Sequence, residues 1–206
     1  MILRMTAVVL ALLVAGCSEY ILIGPKEMKT SVVFSRRLEV IPDVAISVHP
    51  QRSFATIEGF DLDTLMVWPG IRDGHPLSPV MPDWPEGRTP PFKITMADTE
   101  LVEFVETSLR GFLDVPVTTK DVRPTTLDGH PGIRFRYAYT LKDDKGGLDY
   151  EGIAVAATKK GRLYVIAYQG TRIYHFAKHL KAAEHVIATA KLSSGKGSED
   201  TSDEDR

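Results

Sequence analysis

The chain has 206 residues but only one cysteine, Cys17, and two tryptophans, Trp68 and Trp84. A single thiol excludes an internal disulfide and any structural zinc site built from several thiolates, so stability in an oxidising compartment has to come from packing. Charge of one sign is also lacking: 25 Lys and Arg stand against 27 Asp and Glu, a formal net charge of -2. That balance argues against nucleic acid as a partner. The longest apolar run, Met5 to Gly16, rises only about 18 Å as a helix, well short of the roughly 30 Å hydrocarbon core of a bilayer. The sequence carries no Gly-x-Ser-x-Gly nucleophile elbow, no phosphate-binding glycine loop and no His-Glu-x-x-His pair. No catalytic residue, metal site or cofactor is assigned from it, and the protein is expected not to be an enzyme.

The N-terminus is the most legible part of what is present. Arg4, the apolar run and the small residues Ala15 and Gly16 before Cys17 follow the order of a secretory signal. Val14-Ala15-Gly16-Cys17 resembles the lipobox of bacterial lipoproteins. The resemblance implies a diacylglycerol thioether on the Cys17 sulfur, cleavage before Cys17 and acylation, as with palmitate, of the new amine. Cysteine suits this chemistry because its thiol ionises near pH 8.5, whereas a serine hydroxyl does not usefully ionise. Each buried methylene contributes about 0.8 kcal/mol, so two or three chains hold a protein on a bilayer. Ser18 stands where inner-membrane enteric lipoproteins carry aspartate; by that resemblance the protein faces the periplasm and the outer membrane is favoured.

Four segments are expected: a signal peptide over 1–16, a lipid anchor and short linker over 17–37, one domain over 38–192, and an acidic tail over 193–206. The tail has five acids, two bases and no large apolar side chain, so it is expected to be solvated and disordered. Tyr20 to Ile23 reads either as a strand or as an apolar patch beside the membrane.

Within the domain, Leu38 to Val48, Phe54 to Gly59 and Leu62 to Trp68 read as strands. The stretch 68–91 then holds seven of the thirteen prolines and reads as a stiff surface loop carrying Trp68, His75 and Trp84. A helix is expected over about 96–110, capped by Thr95 with Asp98, because Leu101, Val105, Leu109 and Phe112 recur at helical spacing. Strands follow from Val117. Ile133, Phe135, Tyr137 and Tyr139 alternate with Arg134 and Arg136, and two later runs, 153–157 and 163–167, are apolar on both faces. A closing helix, 171–192, carries Phe176, Leu180, Ala183, Ile187 and Ala190 on one stripe, with Thr171 as its cap.

The expected architecture is therefore α+β, a mostly antiparallel sheet packed between helices. The order of elements over roughly 30–192, with the strings Gly-His-Pro-Gly-Ile-Arg-Phe-Arg-Tyr, Tyr-Glu-Gly-Ile-Ala and Gly-Arg-Leu-Tyr-Val-Ile-Ala-Tyr, resembles the PsbP-like α/β/α sandwich family. That resemblance implies a noncatalytic binding or assembly module.

Candidate contact residues are Trp68 and Trp84, each either a buried plug or an aromatic anchor for an envelope protein partner. Arg134 and Arg136, with Arg162 alongside, form a candidate anion site whose competing reading is ordinary ion pairing. His175 and His179 stand four apart on the closing helix, and surface histidines explain them better than metal ligands. Asp-Gly-His-Pro occurs twice, at 73–76 and 128–131, and reads as turn chemistry both times. The expected function is a membrane-anchored envelope module; a periplasmic small-ligand carrier using a groove between sheet and helix, and a hydrolase, are the alternatives.

Overall fold

The computed structural model describes residues 21–23, 31–49, 53–78, 89–143 and 146–193. Cys17 and the lipobox, Trp84, and residues 194–206 lie outside the described residues.

Asp-Gly and Lys-Gly dipeptides set the strand pairing. Asp128 (φ 50°) and Gly129 (φ 74°), and Lys160 (φ 47°) and Gly161 (φ 75°), adopt the two successive left-handed conformations that close tight hairpins. The first joins β7 (Thr118–Leu127) to β8 (His130–Asp143), and the second joins β9 (Gly146–Lys159) to β10 (Arg162–Thr171). With β1 (Ile21–Ile23), β4 (Ile46–His49), β5 (Phe54–Thr56) and β6 (Asp63–Arg72), they make an eight-stranded antiparallel sheet in the order β1-β4-β5-β6-β10-β9-β8-β7. A second, three-stranded sheet, β11-β3-β2, is formed by Lys191–Leu192, Leu38–Val40 and Val32–Phe34.

Both faces of the large sheet are covered, as the doubly apolar β9 and β10 require. Ile133, Phe135, Tyr137, Tyr139, Ala154, Val165 and Ala167 pack with Leu101, Phe104, Val105, Leu109 and Phe112 of α1 (Asp98–Leu113). Ile153, Val155, Tyr164, Ile166 and Tyr168 pack on the other face with Phe176, Ala183, Val186 and Ile187 of α2 (His175–Thr189), and with the small sheet. Each large apolar side chain removed from water contributes about 1.5–3 kcal/mol. The class is α+β, a mostly antiparallel sheet between helices. Among the described residues, no helix is long and apolar enough to cross a membrane.

Several boundaries differ from the sequence expectation, each for a local reason. The stretch read as linker, 17–37, contains β1 and β2: Ile21–Ile23 pairs with Ile46–Val48, and Val32–Phe34 pairs with Leu38–Val40. Of the two readings of Tyr20 to Ile23 the strand holds, for Ile21–Ile23, whereas Val32–Phe34 is too short to show a period of its own. Trp68 and Pro69 lie inside β6 and not in the proline loop, which leaves the sheet only after Arg72. Proline is tolerated because the register shifts there: Tyr164 pairs with Pro69 and Leu163 with Ile71, so Gly70 (φ 92°) is an extra, bulged residue.

The first helix starts two residues later than expected. Its cap residue is Ala97, whose N–H donates to Glu100 Oε2 at 2.7 Å, while Thr95 belongs to the preceding turn. Thr171 does not cap α2; it ends β10, and its Oγ1 lies 2.7 Å from His175 Nδ1. The closing helix stops at Thr189, and Lys191 and Leu192 instead join the small sheet.

The two Asp-Gly-His-Pro strings acquire a physical account. Each Asp-Gly turns the chain, and each Asp carboxylate accepts a backbone N–H from a distant segment. Asp73 Oδ1 takes that of Ile94 at 2.7 Å, and Asp128 Oδ2 that of Leu192 at 3.0 Å.

Candidate functional site

The arginines of the sequence reading separate into two groups. Arg134 and Arg136 project from β8 toward α2, opposite the face that carries Phe135 and Tyr137. Arg134 Nη2 is 2.6 Å from Glu184 Oε1, and Arg136 Nη2 is 2.9 Å from Glu151 Oε2. The Arg136 guanidinium also lies 5.1 Å from the centre of the Phe176 ring. Arg123 lines the same depression of about 440 Å³, together with Asp121 and Glu184. Here the positive charge is answered by carboxylates, so these residues tie strand to helix.

Arg162 is not alongside them. The β6–β10 register places it directly opposite Arg72. Like charges facing one another across a strand pair destabilise a sheet, so this juxtaposition is not explained by folding. A third guanidinium, that of Arg37, comes from the tight turn between β2 and β3, in which Ser35 (φ 48°) and Arg36 (φ 55°) are both left-handed. The Arg37 N–H donates to Phe34 O at 3.0 Å and its carbonyl accepts the Ser193 N–H at 2.7 Å, which fixes the backbone. Its side chain crosses the bulge: a Cβ at Gly70 would lie 3.3 Å from Arg37 Cδ and 3.4 Å from the Tyr164 ring.

The three guanidiniums line one open cleft of about 540 Å³. Ser35, Ser53, His75 and Ser78 add polar groups, and the β6 segment from Val67 to Arg72 supplies a wall. Arg162 Nη1 donates to the Gly70 carbonyl at 3.3 Å. Arg37 Nη1 is buried and has no hydrogen-bond partner among the described residues. Burial, then the proximity of Arg37 and Arg72, hold the Arg162 pKa below the ordinary guanidinium value. Among the described residues, no carboxylate pairs with any of the three.

Trp68 plugs instead of projecting. It is 3% exposed, sits in the cluster beneath α1, and its indole N–H donates to Ser78 O at 2.8 Å. The partner-anchor reading of Trp68 is thereby corrected: the strand continues through Pro69 and turns the indole into the core.

His175 and His179 converge on a carboxylate. Their Nε2 atoms lie 3.2 and 3.4 Å from the two Glu58 oxygens, and Lys178 bonds to the same group. The Lys178 hydrogen bond is the foremost influence holding the Glu58 carboxyl below its usual range. Two imidazoles and one ammonium share one acid here; His179 is buried and His175 half-buried, so the surface placement expected for them is corrected, and the contact with Glu58 accounts for both.

Between the sheet and α2 the apolar space, lined by Ile46, Leu65, Tyr168, Ala183 and Val186, amounts to about 20 Å³, far below the few hundred that small-molecule pockets occupy, and the larger depression on that side is the charged one of about 440 Å³ walled by Arg134, Arg136, Leu180 and Glu184. In the basic cleft His75 Nδ1 lies 3.0 Å from the backbone carbonyl of Asp73, within its own turn.

Arg37 and Arg72 were not singled out from the sequence. The paired basic residues Arg36 and Arg37 after Ser35 were visible. Their meeting with Arg162 depends on a strand register and a bulge that composition does not encode.

No family model matches the chain, and no curated protein matches it. Among solved structures it is similar to the cyanobacterial PsbP, CyanoP, of Synechocystis sp. PCC 6803. That match has a TM-score of 0.45 at 8% identity, over 87% of this chain and 96% of that one. It is also similar to LpqN of Mycobacterium tuberculosis, a protein involved in cell envelope biogenesis, with a TM-score of 0.39 at 10% identity over 86% of this chain and 80% of that one. The α+β architecture itself stands on the strand order and the two covered faces described above.

Proposed function

We propose that this protein is a noncatalytic binding module of a bacterial envelope, held on a bilayer by lipid at Cys17, facing the periplasm, with the outer membrane favoured. The observation that carries the binding role is the convergence of Arg37, Arg72 and Arg162 on one open cleft without a described carboxylate partner. Ion pairs elsewhere in the molecule show that its strands readily place acids beside bases. Three guanidiniums gathered on one cleft, with no carboxylate beside them among the described residues, support reading it as a contact surface for something negatively charged.

The tether rests on the lipobox and gains a geometric consequence from the fold. Only four residue steps separate Cys17 from Ile21, at most about 14 Å of extended chain. The β1 edge is thus kept within reach of the lipid surface, where Ile21 (55% exposed) and Leu22 (68% exposed) present apolar side chains. Confinement to a surface raises the effective concentration of the cleft for a neighbour in the same membrane.

The test is affinity capture of the membrane-anchored protein, compared with an Arg72→Gln variant and a Trp84→Ala variant. Trp84 belongs to the loop whose described start, His75 to Ser78, walls the cleft. The expected result is an envelope component retained by the native protein and lost with Arg72→Gln. Identical retention by native and Arg72→Gln proteins, or recovery of the native protein free of membrane, would overturn the reading.

A further inference from the structure

We infer that the cleft formed by the β2–β3 turn and the ends of β6 and β10 takes a doubly charged oxyanion of the phosphate-monoester class, gripped by Arg37, Arg72 and Arg162. This inference rests on the cleft being the contact region and names the chemistry that occupies it.

Four observations lead to that chemistry. Arg72 and Arg162 face each other across the strand pair, an arrangement that a shared anion between them relieves. Arg37 Nη1 is a buried donor with no acceptor among the described residues, and a buried donor left unmade is an exception that calls for a missing partner. At the Gly70 bulge the missing side chain leaves room that the Arg37 stem and the Tyr164 ring both approach, so the guanidinium is placed in advance and does not need to be ordered by the ligand. Planar forks arriving from three separate elements match the several oxygens of a tetrahedral polyanion better than a single carboxylate, and the Ser35 and Ser53 hydroxyls line the same space.

The anion has two possible sources, a phosphorylated headgroup in the bilayer or a soluble phosphate ester. The chain's own acids are a third competitor, because Glu199, Asp200, Asp203, Glu204 and Asp205 follow closely after Ser193, which is bonded to Arg37.

The experiment uses the full lipid-bearing chain in phosphatidylcholine vesicles, titrated calorimetrically with inorganic phosphate and, for comparison, with succinate. Saturable phosphate binding is expected, tighter than that of succinate. It should weaken about tenfold or more in Arg72→Gln and in Arg37→Gln, the loss expected when one charged hydrogen-bonding partner is removed. The Arg72 side chain is exposed, so that variant keeps the fold even if Arg37→Gln does not.

Replacing part of the lipid with phosphatidic acid separates the sources. A weaker apparent affinity for phosphate assigns the cleft to a headgroup, and an unchanged one assigns it to a soluble ester; both support the phosphate class. Phosphate binding that is absent, unchanged in Arg72→Gln, or no tighter than that of succinate overturns the inference. So does binding that emerges only when the five tail acids are replaced by their amides, since the chain then fills its own cleft. Loss of the phosphate class with Arg72-dependent envelope capture intact leaves the binding module standing, whereas failure to remain on the vesicles strikes the tether.

Discussion

Trp68 and Gly152 show what single side chains do here. Trp68→Ala removes a buried indole and orphans the Ser78 carbonyl, and is expected to cost about 3–5 kcal/mol in urea unfolding. An exposed anchor would cost almost nothing. Gly152 lies flat against a ring: a Cβ there would meet Tyr137 Cζ at 2.1 Å and Cε1 at 2.4 Å. Gly152→Ala should destabilise by about 1–3 kcal/mol or more through overpacking, read as a lower Tm. Tyr137→Phe should not rescue it, because the clash is with the ring and not with the hydroxyl that reaches Gln169. The alternation Ile133 to Tyr139 was legible because a two-residue period needs no partner to be seen. The Tyr137–Gly152 contact was not, since it joins two strands whose relative register only the folded sheet defines.

At the scale of elements, the small sheet is fastened to the large one through Asp128. Partial burial pushes its carboxyl pKa up, but the Leu192 N–H and the Lys191 and Lys159 ammonium groups outweigh this and hold it below the ordinary aspartate range. A carboxyl whose folded pKa lies below its unfolded value contributes stability above the unfolded pKa and loses it as pH falls through the folded one. Asp128→Asn should therefore lower stability at neutral pH by about 1–3 kcal/mol and flatten the acid limb of the stability profile below roughly pH 4. An unchanged limb would show that β11 is held by its backbone pairing alone. Both helices and the long strands β8 to β10 were readable because each carries enough residues to display its period. The pieces missed or misplaced, β2, β11 and the first helix cap, are short and take their structure from tertiary partners, and β1 was offered by the sequence only as one of two readings of Tyr20 to Ile23.

At the scale of the whole molecule, both faces of the large sheet are covered, one by α1 and the other by α2 with the small sheet, so packing supplies the cohesion that a chain of one cysteine cannot draw from an internal disulfide. The acidic segment follows Ser193, the last residue with a described bond into the body of the fold, donating its N–H to Arg37 O. Deleting 194–206 is expected to leave the Tm unchanged in a thermal melt; a fall of several degrees would place the domain edge further along. The α+β class was legible from pattern alone, whereas the cleft was not. It is made by three arginines distant in sequence, brought together by a hairpin turn, a bulge and a strand register.

The account depends most on the first residue of the mature chain. Intact mass of the native protein extracted from membranes tests it directly: the account predicts a polypeptide beginning at Cys17 and heavier by a diacylglycerol group and an amide-linked acyl chain. A free thiol at Cys17, or a polypeptide beginning elsewhere, would contradict it.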